Sequence, residues 1–569
     1  MLARVQSFIL QGIDAAPCEV EVDIDEAGVG KNPIMVGLPD TAVRESLERV
    51  RSAIANAGYR FPRGTLVVNL APADVRKEGP VFDLPIAVGL LMADGTVGAT
   101  RVRGRMTVAV GADVVPERVG VRVNGECLPT GLGQSLGAYF DAGEDDSSGQ
   151  TDEGFGRLTE PLDVRRTLFA GELALDGRLR PIRGALAMAA LARHSGARAI
   201  MLPQENAQEA AVVSGIDVIG VSTLAEVVGI LNGAIEARAH PPVNVAELIE
   251  QSTVEVDFAE VRGQESVKRA ITVAGAGGHN ILMLGPAGTG KTMMAKAFPG
   301  ILPTLSVEEA LEVTRIYSAV GQVPTTGARG LVTVRPVRSP HHTASAIAVI
   351  GGGTVPKPGE ISLAHKGVLF LDELPEFPRA VLDTLRQPLE DGTVTIARAH
   401  SAVTFPANFM LVAAMNPTAK GDMPNTPSGM REMERYLGRV SRPLIDRIDI
   451  HVEAPAVPWK DLASRTGPSG LSSADMRERI AKARERQQRR QGVLLNARLR
   501  GRHLDELAPM GDDAKALLGQ AITELGLSAR AYDKIRRVAR SIADLEESDG
   551  LELAHVAEAV QYRLLDRKV

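Results

Sequence analysis

Eight residues constrain this chain more than any others. Gly285-Pro286-Ala287-Gly288-Thr289-Gly290-Lys291-Thr292 fits the phosphate-loop pattern GxxxxGK[ST]. The flanks fit as well. Asn280-Ile281-Leu282-Met283-Leu284 reads as an apolar strand, and Met293 to Phe298 continues as a helix. The glycines let backbone N–H groups close around phosphate oxygens, and the helix N-terminus adds its dipole. Lys291 supplies a point charge for the outer phosphates, and Thr292 a hydroxyl for Mg²⁺. Strands and helices alternate from 254 to about 455, the pattern of a parallel α/β sheet.

Two further apolar runs belong with this loop. Val368-Leu369-Phe370-Leu371 reads as a buried strand and ends in Asp372-Glu373. Asp372 can hold Mg²⁺ directly or through water, and Glu373 can polarise an attacking water. Phe409 to Met415 reads as a third strand and ends at Asn416. An amide there can bond a γ-phosphate or orient the water; an Asn before Pro417 is equally a turn former. The three strand ends together predict ATP and Mg²⁺ as ligands, Thr292 and Asp372 as metal ligands, and ATP hydrolysis as the reaction.

Composition narrows the setting. At roughly 150 residues per domain, 569 residues suggest three to four domains. A net charge of -6 argues against coating nucleic acid by bulk charge, but averages over faces and leaves room for a local basic groove. Two cysteines, Cys18 and Cys127, exclude a four-cysteine zinc site and suggest a reducing compartment. Met1 to Ile24 lacks the pattern of a signal peptide, and no apolar run approaches a membrane span. The expectation is a soluble, cytoplasmic protein without a membrane partner. With 3% aromatics and Trp459 alone of its type, an aromatic platform for single strands is not expected.

Residues 1–235 mix strand-like and helical runs and form a first domain. Val20 to Ile24 alternates as a half-buried strand, Asp40 to Ala57 reads as a helix capped by Asp40, and Gly184 to His194 as a helix rich in Ala and Leu. An insertion spans about 97–166, with a solvated acidic loop from Asp141 to Gly156. Residues 236–253 read as a linker, because Ala239-His240-Pro241-Pro242 stops a helix. The ATPase core covers 254–455 and a helical lid 456–569. Arg477 to Arg502 holds ten basic and two acidic residues, either a solvated helix face or a phosphate contact.

These motifs together resemble the AAA+ ATPases, and more closely the ComM/YifB family of their magnesium-chelatase-like branch. The resemblance runs over nearly the whole chain. It rests on Val36-Gly37-Leu38-Pro39-Asp40, Asn69-Leu70-Ala71-Pro72-Ala73-Asp74, Ser339-Pro340-His341-His342, Pro358 to His365, and Pro443-Leu444-Ile445-Asp446-Arg447-Ile448-Asp449. It implies an α/β AAA+ P-loop core with a C-terminal helical lid, preceded by an α+β Lon-protease-like domain of the ribosomal S5 domain 2 type. It implies Asn416 as sensor 1, Arg447 as an arginine finger reaching the neighbouring subunit's ATP, and Arg530 as sensor 2. A local ion pair of Arg447 with Asp446 or Asp449 is the plainer reading.

The resemblance further implies a homo-hexameric, ATP-driven DNA helicase that promotes branch migration in recombination or natural transformation. Two pore-facing insertions would grip phosphates without reading bases: Arg329 to Glu360, with Arg335, Arg338 and Lys357, and a hairpin from Asp391 to Arg398 turning at Asp391-Gly392. His341 and His342 are expected to pack or hydrogen-bond at the base of the first insertion. The alternative function is protein remodelling, as by the magnesium chelatase motor subunit. The chain departs from its family in two places. Asn416-Pro417-Thr418-Ala419-Lys420-Gly421-Asp422-Met423 lacks the cysteines that could bind zinc in many members, so no zinc is expected. In the Lon-like signatures, Val81 stands at the nucleophile position and Leu186 at the base position, so no peptidase activity is expected.

Overall fold

The computed structural model describes residues 2–25, 33–98, 156–158, 162–324, 330–353, 355–398, 401–418, 427–457, 471–563 and 565. Most of the expected insertion at 97–166, its acidic loop, Cys127, Trp459 and the segment after Thr418 lie outside these residues. The chain divides into two compact units, Met1–Leu10 with Asp14–Val243, and Gln11–Ile13 with Asn244–Val569.

The first unit is built on a seven-stranded mixed sheet. Its strands are β1 (Leu2–Gln11), β2 (Asp14–Asp25), β3 (Ile34–Val36), β4 (Thr65–Ala71), β5 (Thr167–Phe169), β6 (Ala199–Pro203) and β7 (Asp217–Val221), in the order β7-β6-β5-β1-β2-β4-β3. The alternation of Val20, Val22 and Ile24 with Glu21 and Asp23 becomes an antiparallel pairing with β4 that buries the three apolar residues. Helix α1 (Thr41–Asn56) buries Val43, Val50, Ala53 and Ile54, and the Asp40 side chain accepts from the Val43 N–H at 2.7 Å. Helix α2 (Asp83–Ala93) is apolar all round and almost wholly buried. The one carboxylate on it, Asp83, is buried but held by the Arg49 guanidinium at 2.8 and 3.0 Å. Helices α3 (Ala185–His194) and α4 (Leu224–Leu231), with a shorter helix at Gln204–Ala210, also belong to this unit. Leu186 is buried, and half-buried Val81 packs against the core.

The segment 236–253, read from sequence as a linker, contains a strand pair and a helix. Arg238–Ala239 pairs with Gly156–Arg157, and Val245–Glu250 is a helix whose cap, Asn244, accepts from the Glu247 N–H. The boundary between the units falls within it, at Val243–Asn244.

The second unit carries a five-stranded, fully parallel sheet. Its strands are β8 (Ile281–Leu284), β9 (Val337–Arg338), β10 (Val368–Leu371), β13 (Met410–Met415) and β14 (Ile450–Glu453), in the order β9-β10-β13-β8-β14. Such strands are covered on both faces and read as continuous apolar runs, as β10 and β13 do. The register pairs Leu284 with Met415, and Leu371 with Ala413. The ends of β8, β10 and β13 therefore meet at one edge, where ligands of open parallel sheets bind.

Helix α5 (Glu265–Gly277) precedes the sheet, α6 (Lys291–Ala297) follows β8, and α7 (Val307–Val320) follows α6. The C-terminal helices are α9 (Ser473–Gln491), α10 (Asp512–Leu525), α11 (Ala529–Leu545) and α12 (Leu553–Gln561). One continuous apolar cluster, from Phe258 to Tyr562, joins sheet and C-terminal helices.

One turn differs from the sequence reading. Asp391 ends helix α8 (Arg386–Asp391), and Gly392, at φ +68°, caps it by donating to the Pro388 carbonyl. The hairpin is formed instead by β11 (Thr393–Arg398) and β12 (Ser401–Pro406), paired in register from Thr393↔Pro406 to Arg398↔Ser401. An Asp-Gly pair serves a helix C-terminus as readily as a hairpin, because both need a left-handed residue.

Candidate functional site

Residues 285–292 form the turn from β8 into α6. Gly288 and Gly290 stand at φ +81° and +85°, where a side chain would be strained. Gly285 is required by crowding: a Cβ there would lie 2.1 Å from the Ala454 carbonyl oxygen. Behind the loop, the Gln264 amide donates to the Pro455 carbonyl at 2.6 Å and the Thr289 carbonyl at 3.4 Å. The sequence reading passed over Gln264; its left-handed backbone, at φ +59°, has no signature in an isolated Gly-Gln pair.

The three strand ends converge as the register requires. The Thr292 hydroxyl donates to Asp372 Oδ2 at 2.7 Å. The Lys291 ammonium is buried and donates to the carbonyls of Gly285 and Pro286, both at 2.7 Å, and to Asn416 Oδ1 at 3.2 Å. Burial lowers the Lys291 pKa, and the charges of Asp372 and Glu373 oppose that shift. Glu373 sits at φ +51°, a conformation uncommon for a residue with a side chain, with its N–H on Asp372 Oδ1 at 2.9 Å. Its carboxylate lies 3.4 Å from His342 Nδ1. The sequence reading had given His342 a packing or hydrogen-bonding role without naming Glu373, since no linear pattern ties the two.

Arg447 is held inside its own chain. Its guanidinium pairs with Glu390 at 2.8 Å and donates to the carbonyls of Pro443 and Arg386 at 2.7 and 3.1 Å. Neither Asp446 nor Asp449 is its ion partner; Asp449 instead faces Lys534 at 3.0 Å and His279 at 3.5 Å. Arg530 lies exposed in the first turn of α11.

Two of the expected DNA contacts have partners within their own chain. Arg335 donates to the carbonyls of Pro303 and Lys366 and pairs with Glu309 at 2.8 Å; its side chain is 10% exposed. Arg338 makes a two-point pair with Glu360. Both guanidiniums hold the segment's base to its own chain, as Glu390 holds Arg447. Lys357 remains exposed, on a short ribbon pairing Gly351–Gly352 with Lys357–Pro358. Arg398 ends β11, and its side chain lies outside the described residues.

Part of the basic stretch 477–502 is engaged within the chain as well, while Arg479, Lys482, Arg489, Arg500 and Arg502 are exposed. Arg484 donates to the Gly275 carbonyl, Arg490 pairs with Asp544, and Arg498 and Arg500 donate to the Glu390 carbonyl.

The sequence that builds this site matches described family models. The model for magnesium chelatase, subunit ChlI, matches residues 257–462, and its C-terminal model matches 470–563. A third, for subunit ChlI of Mg-chelatase, matches 20–111 and 157–206. The chain is 40% identical to the uncharacterized protein YifB of Salmonella typhimurium over 568 residues, covering all of this chain and 98% of that one. It is 38% identical to competence protein ComM of Haemophilus influenzae over 575 residues, with the same coverage. The chain belongs to the ComM/YifB family of magnesium-chelatase-like AAA+ proteins. A more distant relative, the magnesium-chelatase 67 kDa subunit of Chlorobaculum parvum, is 27% identical over 37% of this chain and 28% of its own. Membership of this family supports an AAA+ ATPase built on a parallel α/β sheet. Among the described residues no helix is long and apolar enough to cross a membrane.

Proposed function

We propose that this protein is a homo-hexameric, ATP-hydrolysing motor that moves along DNA without reading its sequence and promotes branch migration. The observation that carries the ATPase part is the 2.7 Å contact between Thr292 and Asp372, which joins the phosphate loop to the second carboxylate strand. A hydroxyl and a carboxylate oxygen at that distance are hard ligands suited to Mg²⁺, which would neutralise charge on the ATP phosphates. The residues then take the following roles. Backbone N–H groups of 285–292 hold the phosphates, and Lys291 turns from its carbonyl partners to the outer ones. Asn416, already bonded to Lys291, reports on the γ-phosphate. Glu373 takes a proton from the attacking water. Arg447 leaves Glu390 and acts on a neighbouring subunit's ATP, and Arg530 reaches the phosphates of its own subunit from α11.

DNA as the substrate is supported by full-length similarity to a competence protein, against partial similarity to a chelatase subunit. The grip is assigned to exposed Lys357 and to Arg398 on the hairpin, joined by Arg335 and Arg338 where DNA displaces their carboxylate partners. The first unit, with Val81 and Leu186 where a Lon-like peptidase needs a nucleophile and a base, serves assembly or partner binding. ATP turnover measured with and without forked DNA tests the reading. Stimulation by DNA supports it; indifference to DNA in the assembled protein refutes it.

A further inference from the structure

Arg447 is held at its backbone as well as at its guanidinium, and by different elements. The carbonyls of Arg447, Ile448 and Asp449, the residues that lead into β14, each accept from a side chain elsewhere in the second unit. The Asn280 amide, just before β8, donates to the Arg447 carbonyl at 3.2 Å. The Lys534 ammonium on α11 donates to the Ile448 carbonyl at 3.1 Å and pairs with the Asp449 carboxylate at 3.0 Å. Arg563, two residues past α12, donates through Nη1 to the carbonyls of Ile448 at 2.6 Å and Asp449 at 3.2 Å.

The hold by Arg563 is a strong one. Its side chain is buried, as are those of Lys534 and Asp449. Bonds from a guanidinium to carbonyls are charge-assisted and roughly twice as strong as neutral ones. The backbone beside Arg563 is tied to the same strand, since the Tyr562 carbonyl accepts from the His451 N–H at 2.8 Å. The two carbonyls that Arg563 serves belong to the two residues directly after Arg447. The backbone from which the Arg447 side chain swings is therefore fixed from its C-terminal side, while Glu390 at 2.8 Å holds the guanidinium.

We propose that Arg563 is a positioning residue for Arg447, clamping the backbone of Ile448 and Asp449 so that the Arg447 side chain leaves Glu390 from a fixed point and meets a neighbouring subunit's ATP. The proposal rests on the reading of Arg447 as an arginine finger. The segment after α12 thereby acts on a neighbour's hydrolysis without touching the nucleotide.

The test uses the full-length protein and steady-state phosphate release, with Arg563→Ala, Arg563→Met and Arg447→Ala alongside the unsubstituted chain. Arg563→Met removes the donor and keeps a long packed stem. A finger is worth about 10³–10⁵-fold, and a misplacement of about 1 Å can cost about 10²-fold. Both Arg563 variants are therefore expected to lower kcat about 10²-fold, with affinity for a fluorescent ATP analogue within about twofold. The lost turnover should return in trans. Assemblies holding both Arg563→Met and Lys291→Ala subunits, isolated through two different affinity tags, are expected to hydrolyse more ATP than the two variants measured apart. The Lys291→Ala subunits lend an intact finger to ATP sites that are themselves intact. A substitution that had merely weakened the fold would gain nothing from that partner. Unchanged kcat in the Arg563 variants overturns the proposal, as does a loss carried by nucleotide affinity. It is also overturned if the mixed assemblies recover nothing where Arg447→Ala subunits recover with the same partner. Should the alanine variant fail to fold, the methionine variant decides in the same way. Retained turnover in Arg447→Ala would instead overturn the finger reading, whatever Arg563 does.

Discussion

If Arg447 acts on a neighbouring subunit's ATP, it has to leave Glu390, and the structure sets how much that costs. Three bonds hold it: Glu390 at 2.8 Å, the Pro443 carbonyl at 2.7 Å and the Arg386 carbonyl at 3.1 Å. Glu390 is half exposed, so its pair with Arg447 is worth about 0.5–1 kcal/mol after screening. Each carbonyl bond adds about 1 kcal/mol. The whole hold is a few kcal/mol, strong enough to define a resting position and weak enough to break when a phosphate is offered. Removing the carboxylate charge alone, as in Glu390→Gln, should enrich the released arginine about two- to fivefold. If Arg447 acts on a neighbouring ATP, turnover at saturating ATP should rise by no more than that factor. Arg447→Ala should instead lower it by about 10³-fold or more. The assay is phosphate release above the concentration at which the protein assembles, with sedimentation as the check on assembly. Near-normal turnover in Arg447→Ala refutes the finger. Unchanged or reduced turnover in Glu390→Gln refutes the resting pair, and assigns Glu390 to architecture instead.

Further outcomes concern the site and the scaffold. Glu373→Gln should still bind ATP, followed by a fluorescent nucleotide, while turnover falls about 10²-fold or more; equal turnover would remove it from the mechanism. Asp544 is fully buried and accepts from Arg490, Arg540 and Asn496. Asp544→Ala leaves buried Arg540 and half-buried Arg490 without their carboxylate and should cost the second unit about 3–5 kcal/mol, read from its denaturant midpoint. Burial acts to raise Glu312, but His365 and Lys366 bring its carboxyl down to about 2. A depressed carboxyl stabilises above its unfolded value, so this contribution should be lost as pH falls from about 4.3 toward 2. Glu312→Gln should flatten stability across that window, and an unaltered profile would contradict the assignment.

What the sequence made legible has a common physical basis. The phosphate loop, the Asp372 strand and the Asn416 strand are local patterns, and a parallel sheet needs buried apolar runs that end at the ligand edge. Residues that depend on tertiary placement were not legible. His342 meets Glu373 only because β9 and β10 are neighbours, and Glu390 meets Arg447 only because α8 folds beneath it. The partners of several arginines were hidden for the same reason. Arg335 and Arg338, expected as DNA contacts from the resemblance, and Arg484 and Arg490, counted in a basic stretch, each satisfy carbonyls or carboxylates of their own chain. Gly392 shows the limit of a dipeptide signal, since a helix cap and a hairpin turn ask for the same backbone.

The most direct test of the account is strand exchange on a four-way DNA junction, followed in real time with the assembled protein and ATP. The account predicts branch migration that requires hydrolysis, is abolished by Glu373→Gln and weakens when Lys357 is replaced by alanine. A junction left intact by a protein that is assembled and hydrolysing ATP would contradict the claim that DNA is what this motor moves.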